Sequence, residues 1–328
     1  MIWRRLVRPS WYFYASICRM SRVFRATTPC GGFSAPLTRY SSSVYLLTGY
    51  GLWLSPEVAG KVVAIDGKTL RGSHNGKQLP IHLVSAFASE AGIVLGQVKT
   101  SEKSNEITAI PELLEWLDVR GAIVTLDAMG CQKAIAEKII DKGGDYLLAL
   151  KGNQSSLHDD VRLHFEQPAP ASLARMAAAE TIDKGHGRIE VRQCRLSTDI
   201  GWLSERHPEW KNLSSIVAID SQRIIGDTTT QETRYFISSS QVTAAQILAA
   251  VRLHWGIENQ LHWVLDMSFG EDQSRIRKDN APTNVAIIRY AALNMIRKTP
   301  KKRMGIKPMR KAAGWDDSLL TEILAQVF

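Results

Sequence analysis

The apolar positions fall into regular patterns only from about Lys61 onward. Val62 to Asp66 (VVAID) is a short buried-strand run that closes on an acid, followed by turn-like Gly67-Lys68 and Arg71-Gly72-Ser73. IHLVSAFAS at 81–89 and IVLGQVKTS at 93–101 are two more strand runs, joined through Glu90-Ala91-Gly92 as a hairpin. Residues 105–119 change period: Ile107, Ile110, Leu113, Leu114 and Leu117 share one helical side, with Pro111 marking an early turn. AIVTLDA at 122–128 is a fourth strand ending in an acid, Asp127, and CQKAIAEKIIDKGG at 131–144 is a helix closed by glycines. DYLLALKGN at 145–153 predicts a fifth strand ending at Lys151, and SSLHDDVRLHFEQ a helix.

After Pro168 the rhythm shifts. RIEVRQCRL, SSIVAIDSQRII and ETRYFISSS, within 183–240, are strand-like runs between polar turns, which predicts a β-rich insertion. Helical spacing returns at Thr243 and continues into His254–Arg277. There His254, Glu258, His262 and Asp266 recur every fourth residue as a polar stripe, and Ile257, Leu261, Val264 and Leu265 form the opposite, buried flank. A last helix spans 283–298 and leads into a basic tail; no internal repeat interrupts the order.

Charge sharpens this division. Residues 1–56 hold seven Arg, no Lys and no acid; residues 275–311 carry +11 and the last seventeen residues −3, so the formal total of +9 leaves −6 for residues 57–274. An acidic body with basic flanks suits a protein that holds divalent cations in its middle and phosphates at its edge, or one whose helices are kept soluble by Lys and Arg. Residues 1–56 fit an organellar transit peptide, a basic DNA-contacting arm, or a frame-shifted stretch foreign to the fold; the abrupt onset of balanced charge and periodicity at Glu57 favours the third, with poor order expected. Cys18, Cys30, Cys131 and Cys194 form no CxxC pair, which argues against a zinc ribbon and fits a reducing compartment. No apolar run reaches a membrane span.

If the sheet is ordered 3-2-1-4-5, the first and fourth strands are parallel neighbours, and Asp66 and Asp127 lie side by side at the carboxyl edge where open α/β sheets bind ligands. Two such carboxylates repel unless protonated or bridged by a cation, and oxygen ligands select Mg²⁺ or Mn²⁺ over zinc. Glu258, from a helix packed on the sheet, is the best-placed third acid. Two metals roughly 3.5 to 4 Å apart would activate a water or 3′-hydroxyl and stabilise the leaving oxygen. Strand-end Asp residues are also common turn formers, so either one alone would carry no function.

AIDGKTLRGS (64–73), HLVSAF (82–87), TLDAMGCQ (125–132), YLLALKGNQ (146–154), DKGHGRIEVR (183–192), HWGIEN, LHWVLDMSFGEDQSRIR and APTNVAIIRYAALN (281–294) carry a resemblance. Together they resemble the DDE transposases of the insertion-sequence group that includes the H-repeat-associated proteins. The resemblance implies an RNase H-like mixed α/β sheet flanked by helices over residues 60–298, with the β-rich insertion at 183–240 before the last catalytic helix. Residues 1–59 are then a poorly ordered, non-family-like segment, and 299–328 a basic tail. It implies Asp66, Asp127 and Glu258 as catalytic and metal-binding acids, Mg²⁺ or Mn²⁺ as cofactor, transposon ends and target DNA as partners, a homo-oligomer on DNA, and a cytoplasmic, nucleoid-associated protein. Related transposases carry Tyr, Arg and Lys around the Glu where this chain has Val251, His254 and Leu265, and the helical region implied before the first strand is missing from 1–56.

The expectation is DNA cleavage and strand transfer by two-metal phosphoryl transfer, in a truncated or decayed copy with little activity. A catalytically inactive DNA-binding relic and a metal-dependent nuclease are the alternatives. Lys151, Asn153, Arg188, His254, Arg275 and Arg277 are possible DNA contacts. Lys151 and Asn153 also fit a solvated turn, and His186, Arg188, Glu190 and Arg192 alternate on a strand that is either a DNA-facing strip or an exposed edge. Trp255 and Trp263 would stack on an unpaired base or, preferably, pack in the core. Glu271 and Asp272 fit a shell around the metals or a capped turn. The His254 and His262 pair does not match HExxH.

Overall fold

The computed structural model describes residue 58 and residues 60–74, 76, 79–100, 106–185, 187–300 and 304–327; the expectations for 1–56 and for His186 fall outside them. The described residues fall into two compact units, divided between Ala291 and Ala292.

The first unit is built on one nine-stranded sheet ordered β3-β2-β1-β4-β5-β9-β8-β7-β6. Strands β1 (Val62–Thr69), β2 (His82–Ala88) and β3 (Ile93–Lys99) form an antiparallel meander, as the three apolar runs predict. Helix α1 (Glu106–Trp116) carries the chain to β4 (Ile123–Leu126), and α2 (Lys133–Asp141) carries it to β5 (Asp145–Leu150). β4 pairs parallel with both β1 and β5, giving the 3-2-1-4-5 order expected of an RNase H-like sheet.

Alternation along the strands sorts side chains to two faces. Val63 and Ile65 of β1 and Val124 and Leu126 of β4 pack with Ile110, Leu113 and Leu114 of α1 and Ile135 and Ile139 of α2. Val62 and Ile123 pack on the other face with Ile247 and Leu248 of a later helix. The odd–even rule therefore sends Asp66, and Asp127 just past β4, toward that second face.

Helix α3 (Ser155–Glu166) and short helix α4 (Pro170–Arg175) follow β5, then strands β6 (Ala177–Gly185) and β7 (Arg188–Ser197), helix α5 (Gly201–Arg206), and strands β8 (Ser215–Ile225) and β9 (Thr228–Ser238). These β-rich residues extend the same sheet, because β9 pairs antiparallel with β5 from Leu147↔Ser238 to Leu150↔Tyr235. The sequence pattern missed β6, whose AAAETIDKG only half-buries Ala179, Thr181 and Asp183 on its inner side and whose partner β7 supplies the ladder.

Helix α6 (Ala244–His254) starts at a capping box in which the Thr243 hydroxyl accepts from the Gln246 N–H, and α7 (Trp263–Phe269) ends at Gly270 in the left-handed conformation, φ 63°. Helix α8 (Ala281–Lys298) follows and crosses the unit boundary. In the second unit the expected basic tail contains two helices, α9 (Ile306–Ala312) and α10 (Asp317–Leu324); Asp316 caps α10 by accepting from the N–H groups of Ser318 and Leu319. Their seven and eight residues are too short for their apolar spacing to stand out among the lysines.

Candidate active site

Asp66 and Asp127 meet through strand register. The parallel ladder pairs Ala64 with Thr125, so each acid lies two residues beyond that rung, on adjacent strands and on the same face. β1 does not end at Asp66 as the sequence reading expects: it runs to Thr69, because β2 continues to pair with Gly67, Lys68 and Thr69 through Val84, Leu83 and His82. Asp127 leaves the strand in a turn, its Oδ1 accepting from the N–H groups of Met129 at 3.0 Å and Gly130 at 3.1 Å. The turn is further held by Asn153, whose Nδ2 donates to the Ala128 carbonyl at 2.7 Å.

Glu258 lies in a π-helical segment, Ile257–His262, set between α6 and α7, where the Trp263 N–H reaches back five residues to the Glu258 carbonyl. The expected unbroken α-helix is therefore corrected: one extra residue is accommodated at the acid itself, an arrangement frequent at functional sites. Ile257, Leu261 and Leu265 are buried as the apolar flank predicts, and Glu258 is exposed. The rest of the polar stripe meets the sheet. His254 Nδ1 lies 2.9 Å from Thr125 Oγ1, His262 Nδ1 lies 3.6 Å from Asp66 Oδ2, and Asp266 accepts from the Lys68 ammonium at 2.8 and 2.9 Å.

The electrostatics are those of an acid cluster short of cations. Burial pushes the Asp66 carboxyl up to about 7 against a hydrogen bond from Gly67, and the charges of Glu106, Asp127 and Glu258 push the same way. His262 does not offset them: burial, then the charges of Lys68 and His82, lower its imidazole to about 4, so it stands neutral beside Asp66 at neutral pH. Burial also lowers His254. Among the described residues no three His, Cys, Asp or Glu side chains stand close enough together to hold a metal ion as they are placed.

Glu106 escaped the sequence reading. It opens α1 on the other face of the sheet, 2.7 Å from His82 Nε2, while His82 Nδ1 lies 2.9 Å from Thr69 Oγ1. Glu106 and His82 lie against Gly67, where an added Cβ would clash with Glu106 Oε1 and His82 Nε2. The glycine beside Asp66 is thus required by close approach; the signal was an acid at the first turn of a helix following the hairpin.

The other sequence candidates are dispersed. Lys151 is exposed at the end of β5, and Arg275 is exposed after α7. Arg277 Nε donates to the Gly72 carbonyl at 3.0 Å. Arg188 Nε is 3.1 Å from Glu190, which also holds Arg192 and Arg223. Asp272 is taken by Lys68 at 3.4 Å and Arg71 at 3.5 Å. Glu271 is 1% exposed, 3.8 Å from Arg289, and burial raises its carboxyl to about 7. Trp255 and Trp263 do not pack in the core: they are 39% and 60% exposed, on the helix side opposite Ile257, Leu261 and Leu265, and the Arg234 guanidinium lies 5.1 Å over the Trp255 ring.

Comparison with known proteins agrees with the motif reading. Residues 59–295 match the family described as the transposase DDE domain. YncI of Escherichia coli O157:H7, named as a candidate transposase, is 44% identical over 274 residues, 81% of this chain and 69% of its own. YhhI of Escherichia coli strain K12, named as an H repeat-associated candidate transposase, is 41% identical over 273 residues, 80% of this chain and 71% of its own. A piggyBac transposase solved in a synaptic complex with hairpin DNA aligns with TM-score 0.43 and 9% identity, over 82% of this chain and 52% of that one.

Proposed function

Because the chain belongs to the family of transposases with a DDE domain, we propose that Asp66, Asp127 and Glu258 are its catalytic acids and that it cuts and joins DNA strands by metal-assisted phosphoryl transfer. The observation that carries this reading is the side-by-side placement of Asp66 and Asp127 on adjacent strands, with the Asp66 carboxyl raised by burial and then by the charges of Glu106, Asp127 and Glu258. As carboxylates, Asp66, Asp127 and Glu258 are the hard oxygen donors that Mg²⁺ or Mn²⁺ takes, and a bound cation would have to draw them closer together than they stand as placed. When bound, the metal ions supply activation of a water or 3′-hydroxyl and stabilisation of the leaving oxygen.

The chain's own residues do the positioning. The sheet fixes Asp66 and Asp127 side by side; Asp127 commits Oδ1 to its turn and keeps Oδ2 for a cation. Glu258, exposed on its π-helical turn, approaches from the side on which a phosphodiester would arrive. Residues 60–298 form the catalytic unit with 183–240 inserted, and Lys151, Arg275, Arg277 and the basic residues of 299–328 meet the backbone of transposon ends and target DNA, the chain acting as an oligomer on nucleoid DNA. Arg188, His254, Asn153 and, through its Nε, Arg277 also hold intramolecular partners. Weak strand transfer is expected, because the charge and apolar pattern of residues 1–56 breaks from that of the rest.

The test is cleavage of an end-containing duplex by the full chain with Mg²⁺ or Mn²⁺, beside Asp66→Asn and Glu258→Gln. Loss of about 4 kcal/mol of transition-state stabilisation, roughly a thousandfold in rate, is expected of either variant. Equal cutting by all three sinks the catalytic assignment, and EDTA-insensitive DNA binding without cutting would make the chain a binding relic. Robust strand transfer by the wild type would remove the weak-activity claim.

A further inference from the structure

The carboxylate reading leaves unexplained why a buried ammonium stands two residues from Asp66. Lys68 is 8% exposed, shares the Asp66 face of β1, and binds both oxygens of Asp266 at 2.9 and 2.8 Å, with Asp272 Oδ1 at 3.4 Å. Asp266 lies on α7, beyond the π-helical turn that carries Glu258. Each residue inserted into a helix rotates the later turns by about 100° relative to an unbroken α-helix. The azimuth of Glu258 is consequently not fixed by the helix itself and requires an anchor on each side of the wide turn.

His254 against Thr125 is the anchor before it. After it come His262, 3.6 Å from Asp66, and the Lys68–Asp266 pair, which sets an ammonium against both carboxylate oxygens at 2.9 and 2.8 Å. The segment after α7 strengthens this rung: Asp272 adds a second carboxylate to Lys68, Arg277 donates to the Gly72 carbonyl, and Gly72 lies so close that a Cβ would stand 2.0 Å from the Ser274 carbonyl oxygen.

We propose that Lys68 is a positioning residue for Glu258, holding the helix beyond the π-helical turn in the one register that turns Glu258 toward Asp66 and Asp127. The proposal rests on the reading of those three acids as cation ligands. Lys68 touches neither DNA nor metal in this role; it acts by binding Asp266 and Asp272.

The test is Mn²⁺ binding to the full chain without DNA, followed by the electron paramagnetic resonance of the free ion, for wild type, Lys68→Met, Glu258→Gln and the double variant. Second-layer partners of a metal site change affinity by about 10- to 100-fold, and that loss is expected for Lys68→Met. The double variant should bind no more weakly than Glu258→Gln alone, since Lys68 has nothing left to position. A reciprocal exchange, Lys68→Asp with Asp266→Lys, should restore most of the affinity. If Lys68→Met melts, Asp266→Asn gives the same comparison, because Asp272 still pairs the buried ammonium. Wild-type affinity in Lys68→Met, or losses that add in the double variant, would overturn the proposal. Unchanged Mn²⁺ binding by Asp66→Asn would overturn the carboxylate reading, and the proposal with it.

Discussion

Two parts of one sheet gather buried acids and treat them in opposite ways. On the inserted strands Glu190 is 8% exposed, and although burial pushes its carboxyl up, Arg192, Arg188 and Arg223 outweigh that and hold it below the ordinary range. Its neighbour Asp183 is likewise gripped by Arg192 and by Arg252 of α6. At the carboxyl edge of β1 and β4, Asp66 has a neutral imidazole for company and three further acids within electrostatic reach. Burial alone does not distinguish them. What differs is whether the chain supplies the counter-charge, and it does so where the acid is structural.

The comparison breaks first at Asp66. Its carboxyl stands at about 7 in the folded protein against 3.8 unfolded, so its ionisation opposes folding. The linked stability is fully present below the unfolded value, declines as pH rises, and is gone above the folded value. Asp66→Asn should therefore raise the stability of chelator-treated protein at pH 8, by on the order of 3 kcal/mol, with the gain vanishing toward pH 4. Urea melts across that range measure it. An Asn variant no more stable than wild type at pH 8 would mean that the site is not short of positive charge.

Glu190 should behave with the opposite sign. Its lowered carboxyl contributes stability above the unfolded value that is lost as pH falls through the folded one. Glu190→Gln should cost about 2 kcal/mol at neutral pH, a modest figure because Arg188 and Arg223 are half exposed and rehydrate. Once pH has fallen below the lowered folded value of Glu190, the variant and wild type should converge. Equal stability at pH 7 would erase the contrast between the two regions.

Much of this arrangement is legible in the chain, for identifiable reasons. Strand runs ending near acids, and the alternation of helix and strand after the third, give the 3-2-1-4-5 order and the side-by-side placement of Asp66 and Asp127. A stripe repeating every fourth residue gives the helix face that meets the sheet. What was hidden depends on partners distant in sequence. Gly67 and Lys68 look like a turn until β2 pairs with them, and Lys68 meets acids some 200 residues away. The π-helical turn leaves no composition signal, since one extra residue shifts backbone hydrogen bonds without changing which side chains are apolar. Glu106 and His82 required the packing of α1 across β1 and β2.

The smallest effect concerns the residues whose role the pattern reversed. Trp263 follows the π-helical turn directly, and large aromatic residues in an amphipathic helix are ordinarily part of its buried face. Here the buried face is taken by Ile257, Leu261 and Leu265, and Trp263, two residues or about 200° from each of the last two, points outward, 60% exposed. Trp263→Ala should accordingly change stability by no more than about 0.5 kcal/mol, as for other surface positions. A loss of several kcal/mol, of the size that truncating a core aromatic gives, would return Trp263 to the interior.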